Sequence, residues 1–317
     1  MAKTKEVVKK DKKGKIVQVY KSCTQIANEM DIPLYKITRY IRNKKSIDDY
    51  IFEFTGNEYG KKEKSWINDL KCFLNENGIP QESVTLLDLT LNNENSKTCP
   101  NISDNIKIFE DEWLFKKDIV KSRIKNHFHI TEEKIYARKC YIQEIDYKKA
   151  SEFLDKNHLQ GKISGMYYLG LYFEDRLVSI MVFGKMRKNL GSVAKEGEYE
   201  LLRFCSILNT NIVGGAGKLF NYFCKKYNPT KIISYSDNRW GSGMFYEKIG
   251  MEFSHNTKKN YYYVNEIERK RENRFSYRKD ILLKQGYSSE KTEKEIMRER
   301  GINRIYDYGC KVFIWKR

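Results

Sequence analysis

Tyr199-Glu200-Leu201-Leu202-Arg203-Phe204-Cys205 is followed by Val213-Gly214-Gly215-Ala216-Gly217-Lys218 and then by Lys231-Ile232-Ile233-Ser234-Tyr235. The first stretch reads as a strand and the second as a Gly-rich turn. LFNYFCKKY, patterned as a helix, leads to the third, a buried strand. Strand, turn, helix and strand make an α/β unit whose helix N-terminus can cradle an anion, because glycines let the backbone approach and free N–H groups point outward. Close packing of the helix on the strand explains the same glycines.

The pattern extends in both directions. Tyr147–Leu154 reads as a helix, and the loop Asn157-His158-Leu159-Gln160-Gly161 follows it. Tyr168–Phe173 and Leu177–Phe183 form a hairpin around Glu174-Asp175-Arg176. Downstream, Asp237–Gly243 is a loop, Met244–Ile249 a helix, and Gly250–Phe253 opens the last strand of the series. Four polar residues of these elements can face one cleft between the strands: His158, Arg203, Asp237 and Tyr246. His158 titrates near neutrality and suits a general base. Asp237 suits orienting it or a substrate amine, and Arg203 holding a phosphate. The alternative is that all four are buried structural partners. The tail RKRENRFSYRK, Arg269–Lys279, interleaves basic and aromatic residues, which suits phosphate contact and base stacking through Arg274, Arg278 and Lys279. A solvated basic face has the same composition. Thr292-Glu293-Lys294-Glu295 opens a helix with capping residues, and RIYDYG followed by KVFIWK reads as a closing strand.

The N-terminal end has its own pattern. Lys3–Lys15 reads as a flexible basic arm. KIVQVY alternates as a strand, and Ser22 and Thr24 stand at N-cap positions before a helix that Asp31-Ile32-Pro33 breaks. A second helix, about Leu34 to Arg42, carries Lys36, Arg39 and Arg42, with Lys44 just after. Two short helices around a tight turn, the second basic, suggest a helix-turn-helix reading DNA, or a small structural helix pair. YIFEF closes the unit, Thr55–Lys64 reads as a linker, Trp66–Asn75 as an amphipathic helix, and Asn92–Ser103 as a loop. Further on, IKIF reads as a core strand. Glu110-Asp111-Glu112 at its end are either carboxylates for a metal such as Mg²⁺ or the acidic first turn of the next helix.

The 317 residues carry 60 Lys plus Arg against 42 Asp plus Glu, a net charge of +18 that favours polyanions, nucleic acid foremost. With 14% aromatic residues, most of the chain has the means to fold. No apolar run approaches the ~20 residues of a membrane helix, and MAKTKEVVKKDKKGK has no apolar core of a signal peptide. Seven scattered cysteines without a CxxC point to reduced thiols in a cytoplasmic protein.

Several of these stretches resemble known families. Gly14–Phe54 resembles the NUMOD-type modules of phage homing endonucleases. IFEDEW, KKDIVKSRI and KIYARKC, with the series from His158 to Gly309, resemble the very-short-patch-repair-like EDxHD homing endonucleases. That resemblance implies a DNA-cutting domain, with Glu110 and Asp111 near its Mg²⁺. Its catalytic Asp strand and His stretch have no counterpart here, Asp88 in TLLDLTL being the sole candidate, so the nuclease core reads as internally deleted. Val213–Lys218 and Tyr246–Phe253 resemble the GNAT superfamily, which implies an acyl-CoA-type donor at Val213, Gly214, Gly215, Ala216, Gly217 and Lys218. Glu200-Leu201-Leu202-Arg203 and Ser234-Tyr235-Ser236-Asp237 with Gly243 and Tyr246 resemble the GNAT-like Mom proteins of phages, which modify adenine in DNA.

The resulting expectation is a multi-domain α/β protein: a basic arm (1–15), a helix-turn-helix-like module (16–56), a nuclease remnant (57–140) and a GNAT-like mixed-sheet domain with a basic extension (141–317). Its expected function is that of a DNA-binding protein of the homing-endonuclease group with a degenerate cleavage core. The alternative is a Mom-like transferase that modifies a DNA base or another nucleophile. DNA is the expected partner and a membrane is not.

Overall fold

The computed structural model describes residues 6–13, 15–42, 46–54, 58–87, 89, 105–186, 195–241, 243–265, 269–300 and 302–317. In chain order the elements begin with β1 (Val7–Lys10), β2 (Ile16–Tyr20), α1 (Cys23–Met30), α2 (Leu34–Arg42), β3 (Ser46–Ile47), β4 (Tyr50–Phe54), α3 (Glu58–Glu76), β5 (Val84–Leu87), β6 (Ile106–Phe109), α4 (Glu110–His127), β7 (Glu133–Tyr136), β8 (Tyr141–Glu144), α5 (Tyr147–Asn157), β9 (Tyr167–Phe173) and β10 (Arg176–Lys185). They continue with β11 (Glu198–Ser206), β12 (Thr210–Val213), α6 (Gly215–Tyr227), β13 (Lys231–Asp237), α7 (Met244–Lys248), β14 (Glu252–Asn256), β15 (Tyr261–Asn265), β16 (Lys270–Asn273), α8 (Lys279–Lys284), α9 (Glu293–Glu299), β17 (Asn303–Tyr306) and β18 (Cys310–Lys316). Two compact units result. One holds the described residues of 1–72, 88–98 and 261–307, the other those of 73–87, 99–260 and 308–317.

In the first unit, β2-β1-β4-β3 form an antiparallel sheet. The basic arm expected over Lys3–Lys15 is corrected here. Val7 and Val8 interrupt the lysines, both are buried, and β1 lies between β2 and β4. Ser22 caps α1 by accepting from the Gln25 N–H at 3.2 Å, and Asp31 ends the helix with φ 49°. Ile26, Ala27, Ile37 and Ile41 of α1 and α2 bury against Val7, Tyr20 and Phe52 of the sheet. Residues 58–64, read as linker, begin α3. The loop read over 92–103 and the strand Asp88 lie outside the described residues. The 261–307 part of this unit is a small antiparallel sheet, β16-β15-β17, with α8 and α9 buried on it through Tyr263, Leu282, Ile296 and Met297.

The second unit is built on a seven-stranded sheet in the order β14-β18-β13-β11-β10-β9-β8. KVFIWK forms β18, which inserts between β13 and β14, so the strand opened at Gly250–Phe253 is the sheet's edge. Neighbours are antiparallel except β11 and β13, whose parallel ladder joins only Glu198, Tyr199 and Glu200 to Lys231, Ile232 and Ile233. A right-handed crossover through a helix is the usual route between parallel neighbours, and α6 fills that place. Its Leu219, Phe220 and Phe223 pack on one face of the sheet, with Phe223 stacked on Phe183. On the other face α5 buries Ala150, Phe153 and Leu154 against Ile180 and Val182. This is the mixed-sheet fold class expected of the C-terminal half, with 261–307 lying in the other unit. Residues 106–127 belong to the same unit: β6 pairs with β5, and α4 ties to the turn after β11 through Ser122 Oγ, which accepts from the Asn209 N–H at 2.8 Å. Among the described residues no helix is long and apolar enough to cross a membrane.

Candidate active site

The short parallel ladder leaves β11 and β13 diverging beyond Glu200 and Ile233. The residues beyond the ladder, Arg203 on β11 and Tyr235 and Asp237 on β13, border the unladdered interval between the two strands, the slot. A bulge at Leu202 separates the pairs Phe183–Leu201 and Val182–Arg203. It directs Arg203 and Cys205, opposite Val182 and Ile180, to the α5 face, because opposed residues of a ladder share a face. Ser234 Oγ donates to the Leu201 carbonyl at 2.9 Å and bridges the mouth of the slot.

His158 caps the C-terminus of α5, its N–H on the Leu154 carbonyl at 2.8 Å. Its neighbour Asn157 accepts from the Leu208 N–H at 3.0 Å, fixing the end of α5 to the turn after β11. Arg203 donates from Nε to the Gly161 carbonyl at 3.4 Å and from Nη1 to the Leu202 carbonyl at 2.8 Å. The structure therefore brings His158 and Arg203 to the same end of the α5 face. His158 Nδ1 accepts from the Gln160 N–H at 3.1 Å, so in the neutral ring Nε2 carries the proton and donates. Burial, then the charges of Arg203, Arg123 and Lys116, hold the imidazole well below its ordinary value. In that state the ring offers Nε2–H as a hydrogen-bond donor.

Tyr246 reaches the slot from the α6 side. Its ring stacks on Phe313, 4.8 Å between centroids, and its hydroxyl donates to the Tyr235 carbonyl at 3.3 Å. Gly243, just before α7, has φ +89°, and a Cβ there would meet Phe313 Cζ at 2.5 Å, so only glycine lets α7 approach. Burial raises the Tyr246 phenol, with Ser234 opposing, and pushes the Cys205 thiol up to about 12. Both stay protonated at neutral pH.

Asp237 does not orient His158 by a direct bond. Its Oδ1 accepts from the Arg239 N–H at 3.0 Å and from Nε at 3.2 Å, and its Oδ2 from Nη2 at 2.7 Å. Arg239 also donates from Nη1 to Glu112 Oε2 at 2.8 Å and is 5% exposed. Burial opposes its charge, but Asp237 and Glu112 outweigh that and raise its pKa. Sequence reasoning missed Arg239, although an Arg two residues after a strand-end Asp is a signal for a local ion pair. Glu110 and Asp111 are buried in the first turn of α4, where Glu112 also accepts from the Phe109 N–H at 3.1 Å. Glu112 is thus the residue of the acidic cluster that serves the site. Among the described residues no group of three His, Cys, Asp or Glu is placed to hold a metal ion.

The expected cradle forms the N-terminus of α6. Gly214 is its N-cap, and a Cβ at Gly215 would meet Ile212 Cγ2 at 2.7 Å. Ala216 and Gly217 follow, so the first residues carry nothing larger than a methyl group and no acid, and backbone N–H groups are open to an anion. Lys218 points elsewhere, donating to the carbonyls of Ala137, at 2.9 Å, and Cys140. This cradle lies on the α6 face, opposite His158 and Arg203.

The remaining candidates belong to the first unit. Lys36 is exposed on α2; Arg39 and Arg42 belong to its backbone, their side chains and Lys44 lying outside the described residues. Arg274 stands over the rings of Tyr261 and Phe275. Arg278 pairs with Asp280 at 2.7 Å, and Lys279 donates to the Ser289 carbonyl at 2.8 Å.

No curated protein matches the chain. Solved structures similar to it include N-acetylglutamate synthase from Neisseria gonorrhoeae complexed with coenzyme A and N-acetyl-glutamate, at 11% identity and TM-score 0.31, covering 56% of this chain and 35% of that one. An acetyltransferase from Bacillus subtilis in complex with CoA matches at 12% and 0.31, and a probable acetyltransferase from Staphylococcus epidermidis at 12% and 0.30, each covering 56% of this chain and 98% of its own. The family model described as the Mom protein family matches residues 139–308. That match spans more than half of the sequence and includes His158, Arg203, Asp237 and Tyr246: the chain belongs to the Mom protein family.

Proposed function

We propose that the protein is a GNAT-like transferase that moves a small acyl-type group from a phosphate-bearing donor onto a nucleophilic nitrogen of a DNA base. The observation that carries this reading is the divergence of β11 and β13, with an anion cradle on one face and His158 and Arg203 on the other. Such a slot separates donor from acceptor and lets them meet between the strands. The family match favours this reading, and nothing comparable favours the endonuclease.

An acyl thioester of the coenzyme A type supplies an activated carbonyl and a thiolate leaving group. The N–H groups of Gly215, Ala216 and Gly217 hold donor phosphates. His158 Nε2–H, neutral because of its burial and neighbouring cations, donates to the carbonyl oxygen as negative charge builds on it. The attacking nitrogen forms the new C–N bond, the C–S bond breaks, and the Tyr246 phenol gives its proton to the departing sulfur. The proton lost by the nitrogen passes to water, which restores the phenol. Arg203 holds acceptor or donor phosphate by charge.

Incubation with DNA and acetyl-CoA, followed by mass analysis of the released nucleosides, tests this. A nucleoside gaining an acyl mass is expected. His158→Gln should lower the rate about 10²–10³-fold. Gly217→Asp enters open space but sets a carboxylate at the cradle, and should raise the donor KM. Unmodified nucleosides with every thioester tried, alongside Mg²⁺-dependent strand breaks, would replace this reading by the endonuclease one.

A further inference from the structure

Helix α4 lies outside the segment matched by the family, yet it closes the α5 side of the slot. Lys116 Nζ donates to the Leu159 carbonyl, beside His158. Ser122 is bonded to Asn209 in the same turn that Asn157 anchors through Leu208. Arg123, next in sequence, places its guanidinium 4.2 Å from the centre of the Trp240 ring. Among the described residues no hydrogen bond or ion pair takes up this guanidinium, and the Trp240 indole N–H is likewise without an acceptor. The nearby carboxylates of Glu112 and Asp237 are both engaged by Arg239.

A half-buried guanidinium held over an indole, with the two carboxylates beside it already neutralised by Arg239, keeps its N–H donors available to an anion. Guanidinium forks match phosphate oxygens bidentately, and ring stacking fixes the fork without consuming its donors. Arg123, Arg203 and Lys116 all act on His158 electrostatically, so the anion would lie in one positive field with it. Burial lowers Arg123 from its ordinary value, the field of Asp237 opposing, which is the response of a cation short of a counter-charge.

We propose that Arg123, stacked on Trp240, is a phosphate-binding residue of the site, supplied by a helix outside the family segment. It rests on the transferase reading only for its consequence: a phosphodiester seated there would present the adjoining nucleotide to the slot from the face opposite the donor cradle. A free phosphate of the donor offers the same chemistry and is distinguished by experiment.

The test uses the full-length protein with two probes, an eight-residue single-stranded deoxyoligonucleotide and coenzyme A, each titrated against wild type, Arg123→Gln and Arg123→Lys, with thermal unfolding as the check on folding. Arg123→Gln should weaken one probe about ten-fold or more, and Arg123→Lys should recover part of the loss. Loss confined to the oligonucleotide, with its salt slope reduced by about one, assigns a backbone phosphate. Loss confined to coenzyme A assigns the donor's phosphate. Wild-type affinity of folded Arg123→Gln for both probes, or no binding of either by wild type, overturns the proposal. Unchanged binding with transfer intact would fell this inference alone. Binding lost in Arg123→Gln without any transfer by wild type would fell the transferase reading alone.

Discussion

Arg239 donates to Glu112 at 2.8 Å across 127 residues of sequence, both side chains 6% exposed. The bond joins the first turn of α4 to the segment just after β13. Arg239 is shared with Asp237, so one cation neutralises two carboxylates at the border of the slot. The pair's net worth to stability is small against a well-packed apolar replacement, but removing one member strands buried charge.

Arg239→Met should therefore lower unfolding free energy by about 3–5 kcal/mol, because Glu112 and Asp237 lose their counter-charge together. Glu112→Gln should cost less, since Arg239 keeps Asp237. Urea denaturation of the three proteins at pH 7.5 gives the order. Equal losses in both variants would show that Glu112 carries the network.

Acid should destabilise the protein through His158. The folded imidazole is held well below 6.5, burial being the main cause, while the unfolded ring protonates at about 6.5. Unfolded chain then binds more protons than folded below that pH, so stability is at its full value above 6.5 and falls as pH drops toward the folded value. His127, lowered by burial and by His129 and Arg123, adds in the same direction. Denaturation at pH 7.5 and 5.5 should show a smaller acid loss in His158→Gln than in wild type. The same loss in both would mean that His158 protonates freely when folded.

The two glycines near the start of α6 should respond in opposite ways. A Cβ at Gly215 meets Ile212 Cγ2 at 2.7 Å and Leu171 Cδ2 at 3.4 Å, so Gly215→Ala should cost about 1–3 kcal/mol by overpacking. At Gly217 nothing lies within 4 Å, and Gly217→Ala should stabilise by about 0.5–1 kcal/mol through lower unfolded-state entropy. Thermal unfolding of the two variants decides it.

DNA binding, if carried by the net charge of +18, should fall steeply with salt, the logarithm of affinity dropping by about 0.9 per phosphate contacted for each unit of log salt. Replacing Arg39 and Arg42 together by Ala should reduce sequence preference more than replacing lysines of the first fifteen residues. Binding that ignores salt between about 50 and about 300 mM, over which the Debye length shrinks roughly 2.4-fold, would remove electrostatics as its source.

Local pattern determined much of this molecule. Alternation and apolar runs marked β9, β10, β11 and β13, the Gly-rich turn marked the start of α6, and Ser22 marked the start of α1, because each is set by side-chain period or by a backbone requirement within a few residues. The quoted strands and loops also singled out His158, Arg203, Asp237 and Tyr246, of which His158 caps α5 and Asp237 ends β13. Tertiary structure decided which of them act together. The insertion of β18 between β13 and β14, the strand hidden among the first lysines, and the partnership of Glu112 with Arg239 depend on contacts between residues far apart in the chain. The role of His158 turned on one backbone N–H, that of Gln160, occupying Nδ1. Arg123 looks in sequence like any basic residue of a helix. Only packing sets it on Trp240, where burial and charge, unlike period, sum over everything nearby in space.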